Sequence, residues 1–181
     1  VGDDVSGDPA NLQAISGPLV NDDYFQAADY LAAGDKLRDL ALGTCQGSVS
    51  VVKQVIPPNG TIADAQPAGG WTFGATSNVT ISPTSGQTAA GTGALSFNLE
   101  FPESTDPAAV TVNETQQAGY TLEKVDGKNA VCTRVDTSAA VTVDNNGTTG
   151  FDVTANRDYG ITCTVYNRAP NPPASVVLNK T

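Results

Sequence analysis

From Ser48 to Asn167 the chain repeats one pattern: short runs in which apolar and polar residues alternate, each closed by a cluster of Gly, Pro, Asn, Asp or Ser. A period of two points successive side chains to opposite faces of an extended strand, so each run offers one face for burial. The pattern predicts strands over 48–56, 71–75, 78–82, 94–100, 109–114, 119–124, 130–135, 139–143, 150–154 and 159–167. "PPNG", "PTSGQ", "VDGKN" and "DNNGTTG" supply turns between them. Trp71 with Phe73, and Leu95 with Phe97 and Leu99, are in-phase sets suited to a core between sheets. Some 120 residues of many short strands predict a mainly β chain built as a two-sheet sandwich.

The first 46 residues read differently. "DYFQAADYLAAGDKLRDLAL" sets Tyr30, Ala33, Leu37, Leu40 and Ala41 at helical spacing, and Gly43 supplies a stop, which predicts an N-terminal helical segment over 24–42. At the other end, "NRAPNPPAS" at 167–175 is an extended, stiff linker. Beyond it "SVVLNK", 175–180, repeats the order of "SVSVVK", 48–53, with Lys180 in the place of Lys53. The expected organisation is therefore a loop-plus-helix piece at 1–46, a β-sandwich at 47–169, and at 170–181 a Pro-rich linker with the first strand of a following domain. The abrupt start at Val1 and the strand-like end suggest a piece of a longer protein carrying further tandem domains.

Composition excludes several functions. A net charge of −10 with only 9 Lys and Arg gives no basic surface for a nucleic acid. With no histidine, histidine catalysis and histidine metal ligation are impossible. No apolar run approaches the roughly 20 residues of a membrane span, so the chain is not expected to be membrane-embedded. "DNNGTTGFD" lacks the alternating carboxylates of a calcium loop and reads as an Asn-Gly hairpin turn. No metal site and no cofactor are expected. Of the three cysteines, Cys132 and Cys163 lie in strand-like runs of the same region and are assigned to one disulfide, which favours a secreted protein; the alternative is three free thiols in the cytosol. Cys45 is left unpaired, or has its partner outside this chain.

Three polar residues break the alternation in the same way. Lys53 is in phase with Val49, Val51 and Val55; Glu114 with Val110 and Val112; Asn167 with Ile161, Cys163 and Val165. All three should face the core, where each alone would lose its hydration with nothing in return. Together they carry a chemistry. Burial lowers a lysine's pKa and raises a glutamate's, so the neutral amine becomes a nucleophile. Lys53 can attack the Asn167 side-chain carbonyl while Glu114 hydrogen-bonds that carbonyl and shuttles protons; ammonia leaves and an isopeptide remains. This is self-processing in a single turnover, not enzymatic activity. Three plainer readings stand beside it: Lys53 with its amine in water, Glu114 as an edge carboxylate, and a buried Lys53–Glu114 salt bridge without covalent chemistry.

The run from Ser48 to Asn167, with Lys53 on its first strand, "ETQQAGY" at 114–120 and Asn167 closing the last, resembles the Cna-B type, or SpaA-like, domains of Gram-positive surface proteins and pilins. Their glutamate motif is E-T-x-x-P-x-G-Y; this chain lacks the proline and is one residue shorter there. "ITCTVYN" with Cys132 is similar to the actinobacterial variants. The resemblance implies an Ig-like or prealbumin-like sandwich, a Lys53–Asn167 isopeptide with Glu114 as its acid and base, and a stalk or adhesion role on a cell wall or pilus outside the cell. "VGDDVSG", "NLQAISGP", "DYF" and "LRDLALGTC" resemble the C-terminal end of a von Willebrand factor A domain. That resemblance implies a preceding head domain that binds a host or surface ligand, with its metal loop outside this piece. A ligand-binding or carbohydrate-binding sandwich, with Trp71 or Tyr120 as an exposed platform, is the alternative from another class.

If the first and last strands run parallel with Lys53 opposite Asn167, Val49 falls opposite Cys163. Cys45 then lies about four residues further on, at ~3.3 Å each, beyond disulfide reach.

Overall fold

The alternation in 48–56 appears directly as burial. A computed structural model describes residues 47–102 and 105–171; in it β1 (Ser48–Ile56) turns Val49, Val51 and Lys53 inward and leaves Ser48, Ser50 and Val52 partly exposed. The other strands are β2 (Gln66–Pro67), β3 (Thr72–Ser77), β4 (Thr80–Ser82), β5 (Ser85–Gln87), β6 (Ala94–Glu100), β7 (Ala108–Glu114), β8 (Thr121–Glu123), β9 (Val131–Arg134), β10 (Ala140–Val141), β11 (Asp144–Asn146), β12 (Gly150–Ala155) and β13 (Ile161–Arg168). Among the described residues the only helical element is one 3₁₀ turn, Ile62–Asp64, and no helix is long and apolar enough to cross a membrane. The helix expected at 24–42, Cys45, and the strand and lysine expected at 175–180 lie outside the described residues.

The chain is mainly β, in two sheets. The first has eight strands in the order β10-β9-β13-β1-β6-β4, with β2 also on β1 and β8 also on β13. The second has five, β11-β12-β7-β3-β5. One apolar core takes residues from both: Val49, Val51, Phe97, Leu99, Ile161 and Val165 from the first, and Phe73, Val110, Val112 and Phe151 from the second. Each such side chain contributes roughly 1.5–3 kcal/mol when fully buried, enough to set which face of every strand turns inward.

β1 and β13 are parallel neighbours, but their register differs from the sequence expectation. Val51, not Val49, lies opposite Cys163; Lys53 lies opposite Val165, and Asn167 opposite Val55. The two-residue stagger keeps Lys53 and Asn167 on one face, since a shift of two preserves side-chain parity. It also suits the lengths involved, because a lysine stem reaches along the sheet by about the two-residue rise of ~6.6 Å.

The neighbours of the central pair change at this level. β6 pairs with β1 over 48–52, and β2 takes over at 54–55; on the far flank β9 pairs with β13 over 161–164, and β8 over 166–168. Between β6 and β2 the Lys53 backbone is held by loops: its N–H donates to the Gly93 carbonyl at 2.8 Å, and its carbonyl accepts from the Ala68 N–H at 3.0 Å. Gly93 has φ +65°, and a Cβ there would stand 2.5 Å from the Lys53 carbonyl oxygen, so this approach requires glycine.

Strands β2, β5 and β11 were not expected. They hold two or three residues each, and Pro67, Gly86 and Asn145 read locally as turn formers. Residues 144–152 form a hairpin: Asn146 pairs with Gly150, leaving 147–149 as the turn, with Gly147 at φ +63°.

Candidate functional site: a buried amine, carboxylate and carboxamide

Lys53, Glu114 and Asn167 come from three strands of two sheets and meet inside the core, exposed by 0%, 5% and 0%. Parity puts them there: each shares the inward face of the valines of its strand. Lys53 Nζ donates to Glu114 Oε2 at 2.6 Å, and Asn167 Nδ2 donates to Glu114 Oε1 at 2.5 Å. One carboxylate therefore bridges both nitrogens. Asn167 Oδ1, also buried, has no hydrogen-bond partner. The carboxamide thus turns its nitrogen to Glu114, not its carbonyl as the sequence predicts, because an ionised carboxylate only accepts.

The amine sits in a dry, aromatic place. Its nitrogen lies 4.4 Å from the centre of the Trp71 ring and 6.0 Å from that of Phe73. Burial pushes the Lys53 pKa down to about 8 from 10.5, while the adjacent Glu114 charge and hydrogen bond pull it back up. An ammonium paired at 2.6 Å out of reach of water still bears a desolvation cost of several kcal/mol that the pairing offsets only in part. The readings with the Lys53 amine in water and with Glu114 on an exposed edge do not fit this geometry.

Further contacts fix the three groups, and these were not legible beforehand. The Thr149 hydroxyl donates to the Glu114 backbone carbonyl at 3.1 Å, and the Thr115 N–H donates to the Thr72 carbonyl at 2.9 Å, pinning the end of β7 from both sides. Thr88 holds Trp71: its hydroxyl accepts from the Trp71 N–H at 3.1 Å and donates to the Ala68 carbonyl at 2.8 Å. Tyr120 stands edge-on to Trp71 with ring centres 5.1 Å apart. Trp71 is 3% exposed, so it offers no platform to a ligand. The in-phase Trp71 and Phe73 were visible as core residues, but nothing local showed that they would roof the amine.

Cys132 and Cys163 are joined by a disulfide, S–S 2.04 Å, at directly opposed positions of β9 and β13. Among the described residues no group of three or more His, Cys, Asp or Glu side chains could hold a metal ion.

Fold and site together define a two-sheet β module with a buried amine–carboxylate–carboxamide cluster and one cross-strand disulfide. No family model and no curated protein matches the sequence. Among solved structures the chain is similar to a bacterial adhesin from Mobiluncus mulieris containing intramolecular disulfide, isopeptide and ester bond cross-links. The identity is 14% and the TM-score 0.36, over 67% of this chain and 41% of that one, so the present chain spans well under half of that adhesin. A likeness of this size assigns neither fold nor function.

Proposed function

We propose that residues 47–169 form a stalk module of a bacterial cell-surface or pilus-tip adhesin, stiffened by a self-formed amide between Lys53 and Asn167. The observation that carries this reading is the single buried carboxylate hydrogen-bonded at once to the amine and to the carboxamide nitrogen. In the reaction Glu114 takes a proton from Nζ through Oε2, and the neutral amine attacks Asn167 Cγ. The Cγ–Nδ2 bond breaks as Oε1 delivers a proton to the departing nitrogen. One ammonia leaves, the second proton shed by Nζ stays on the carboxyl group, and a neutral N–H amide remains beside a neutral Glu114. The Lys53–Glu114 salt bridge is the starting state of this path, and the product removes the buried charge altogether.

The geometry suits a load-bearing role. β1 and β13 are parallel, so the start of β1 and the end of β13 lie at opposite ends of the module. Tension entering along β1 would cross to β13 at Lys53–Asn167, and nothing between those residues would carry it. The resemblance to Cna-B type domains, the prealbumin-like topology and the von Willebrand factor A-like origin of residues 1–46 belong to this proposal. So do a ligand-binding head before the module and further domains after it. The disulfide supports folding where thiols are oxidised, outside the cytoplasm, attached to a wall or pilus. The module acts once on itself and has no catalytic turnover.

Intact-mass measurement tests the bond: the purified chain, with its disulfide reduced, should be lighter than its sequence by one ammonia, about 17 Da, and Glu114→Ala should restore the full mass. Asn59–Gly60 and Asn146–Gly147 could also lose ammonia by cyclising onto the next amide, so Lys53→Ala is the control. A Lys53→Ala chain that is still 17 Da light, about one ammonia, would mean that the loss occurs elsewhere.

A further inference from the structure

Resting on the cross-link reading above, we propose that the Cys132–Cys163 disulfide positions the amide-forming site. It fastens residues 120–134 across β13, so a folded chain with the disulfide forms the Lys53–Asn167 amide faster than a folded chain without it.

The segment from Tyr120 to Cys132 reaches all three reacting groups. At its start Tyr120 packs on Trp71, whose ring covers Lys53 Nζ. Next, Leu122 on β8 pairs with Asn167 itself, within a ladder of only three residues. In the middle, Asn129 is 1% exposed; its side-chain nitrogen donates to the Gly150 carbonyl at 2.6 Å, and its N–H donates to Asn145 Oδ1 at 2.8 Å. That ties the segment to the β11–β12 hairpin, whose Thr149 hydroxyl holds the Glu114 backbone. The segment's own hold on the sheet is slight. β9 pairs with β13 over four residues, and its outer neighbour β10 has two. The disulfide is the covalent fastening at this point, and Cys163 lies on the same strand and the same face as Asn167, four residues before it. An untethered segment can open locally while the rest of the sandwich stays folded. Opening would let water reach the amine and loosen Asn167, and a small misplacement of reacting groups slows a reaction sharply.

The test separates positioning from stability. Chain recovered unfolded and reduced has no dry cluster and cannot have reacted. It is refolded by dilution with oxidised glutathione or with reductant, and a Cys132→Val/Cys163→Val variant, which keeps both sites apolar, is refolded beside it. Cys45→Ser is present throughout so that no other thiol competes. Fluorescence of Trp71, the single tryptophan, reports folding. Mass after acid quenching reports ammonia loss. Both chains should bury Trp71, and the first-order ammonia loss that follows should be slower without the disulfide by at least about fivefold, a small part of what closing such a loop can contribute. Equal rates in chains already folded would overturn the inference and leave the amide reading intact. A chain unable to fold at all without the disulfide would overturn it too, since the bond would then serve the whole fold. Oxidised wild type that folds and never loses ammonia would remove the amide reading, and this inference with it.

Discussion

Pulling on the module distinguishes its two cross-links by length. Asn167→Ala removes the proposed amide yet leaves Lys53 paired with Glu114, so no buried charge is stranded. Residues 47 to 171 are 124 steps apart, which fall to about 93 once the 31 inside the disulfide loop are hidden. At about 3.5 Å per residue the unravelled variant measures about 33 nm. The folded ends are already about 3 nm apart, the length of nine-residue β1 at ~3.3 Å per residue. The variant should therefore lengthen by about 30 nm in a single-molecule force trace, and by about 40 nm when Cys132→Val and Cys163→Val are added. The wild-type module should show no step, because only the few residues before Lys53 and after Asn167 carry load and they are already extended. A step of about 30 nm in wild type would refute the force path, as would its absence in the Asn167→Ala variant.

Three other outcomes follow. The lowered lysine pKa of about 8 makes about one amine in ten neutral at pH 7, against about one in 3,000 at an ordinary 10.5. Ammonia loss after refolding should accordingly quicken about tenfold per pH unit from pH 6 and level near pH 8; a rate independent of pH would contradict the amine as nucleophile. In Asn167→Ala the folded-state lysine pKa lies below the unfolded one, so the unfolded chain holds more protons between about pH 8 and 10.5. Stability by urea unfolding should rise across that window, by up to about 3 kcal/mol, with the full penalty present below pH 8; a fall would contradict the buried amine. Gly93→Ala should cost more than about 1 kcal/mol in urea unfolding, since its Cβ would meet the Lys53 carbonyl at 2.5 Å in a left-handed backbone; a neutral substitution would show that the loop is free to move.

What could be read from the chain beforehand was parity. Lys53, Glu114 and Asn167 each sit in a strand long enough for the period of two to assign a face, and a buried face has few places to put polar groups. β1 and β6 have their expected bounds for the same reason. The register of β1 on β13 was not legible, because a shift of two keeps every valine buried and only the reach of the lysine stem distinguishes the options. Nor was the turn of the Asn167 amide, which depends on the charge of a carboxylate from the other sheet. β5 and β11 were hidden inside turn signals: Gly86 and Asn145 look like loop residues until a partner strand supplies their hydrogen bonds. Thr149 lies in a hairpin turn, and only the fold brings it to Glu114.

The most direct measurement is a protease digest of the purified, reduced chain, read by tandem mass spectrometry. The account predicts one branched species in which the peptide carrying Lys53 is joined through its side chain to the peptide carrying Asn167, lighter than the sum of the two by one ammonia. Recovery of those peptides as separate molecules, each at its full mass, would contradict it.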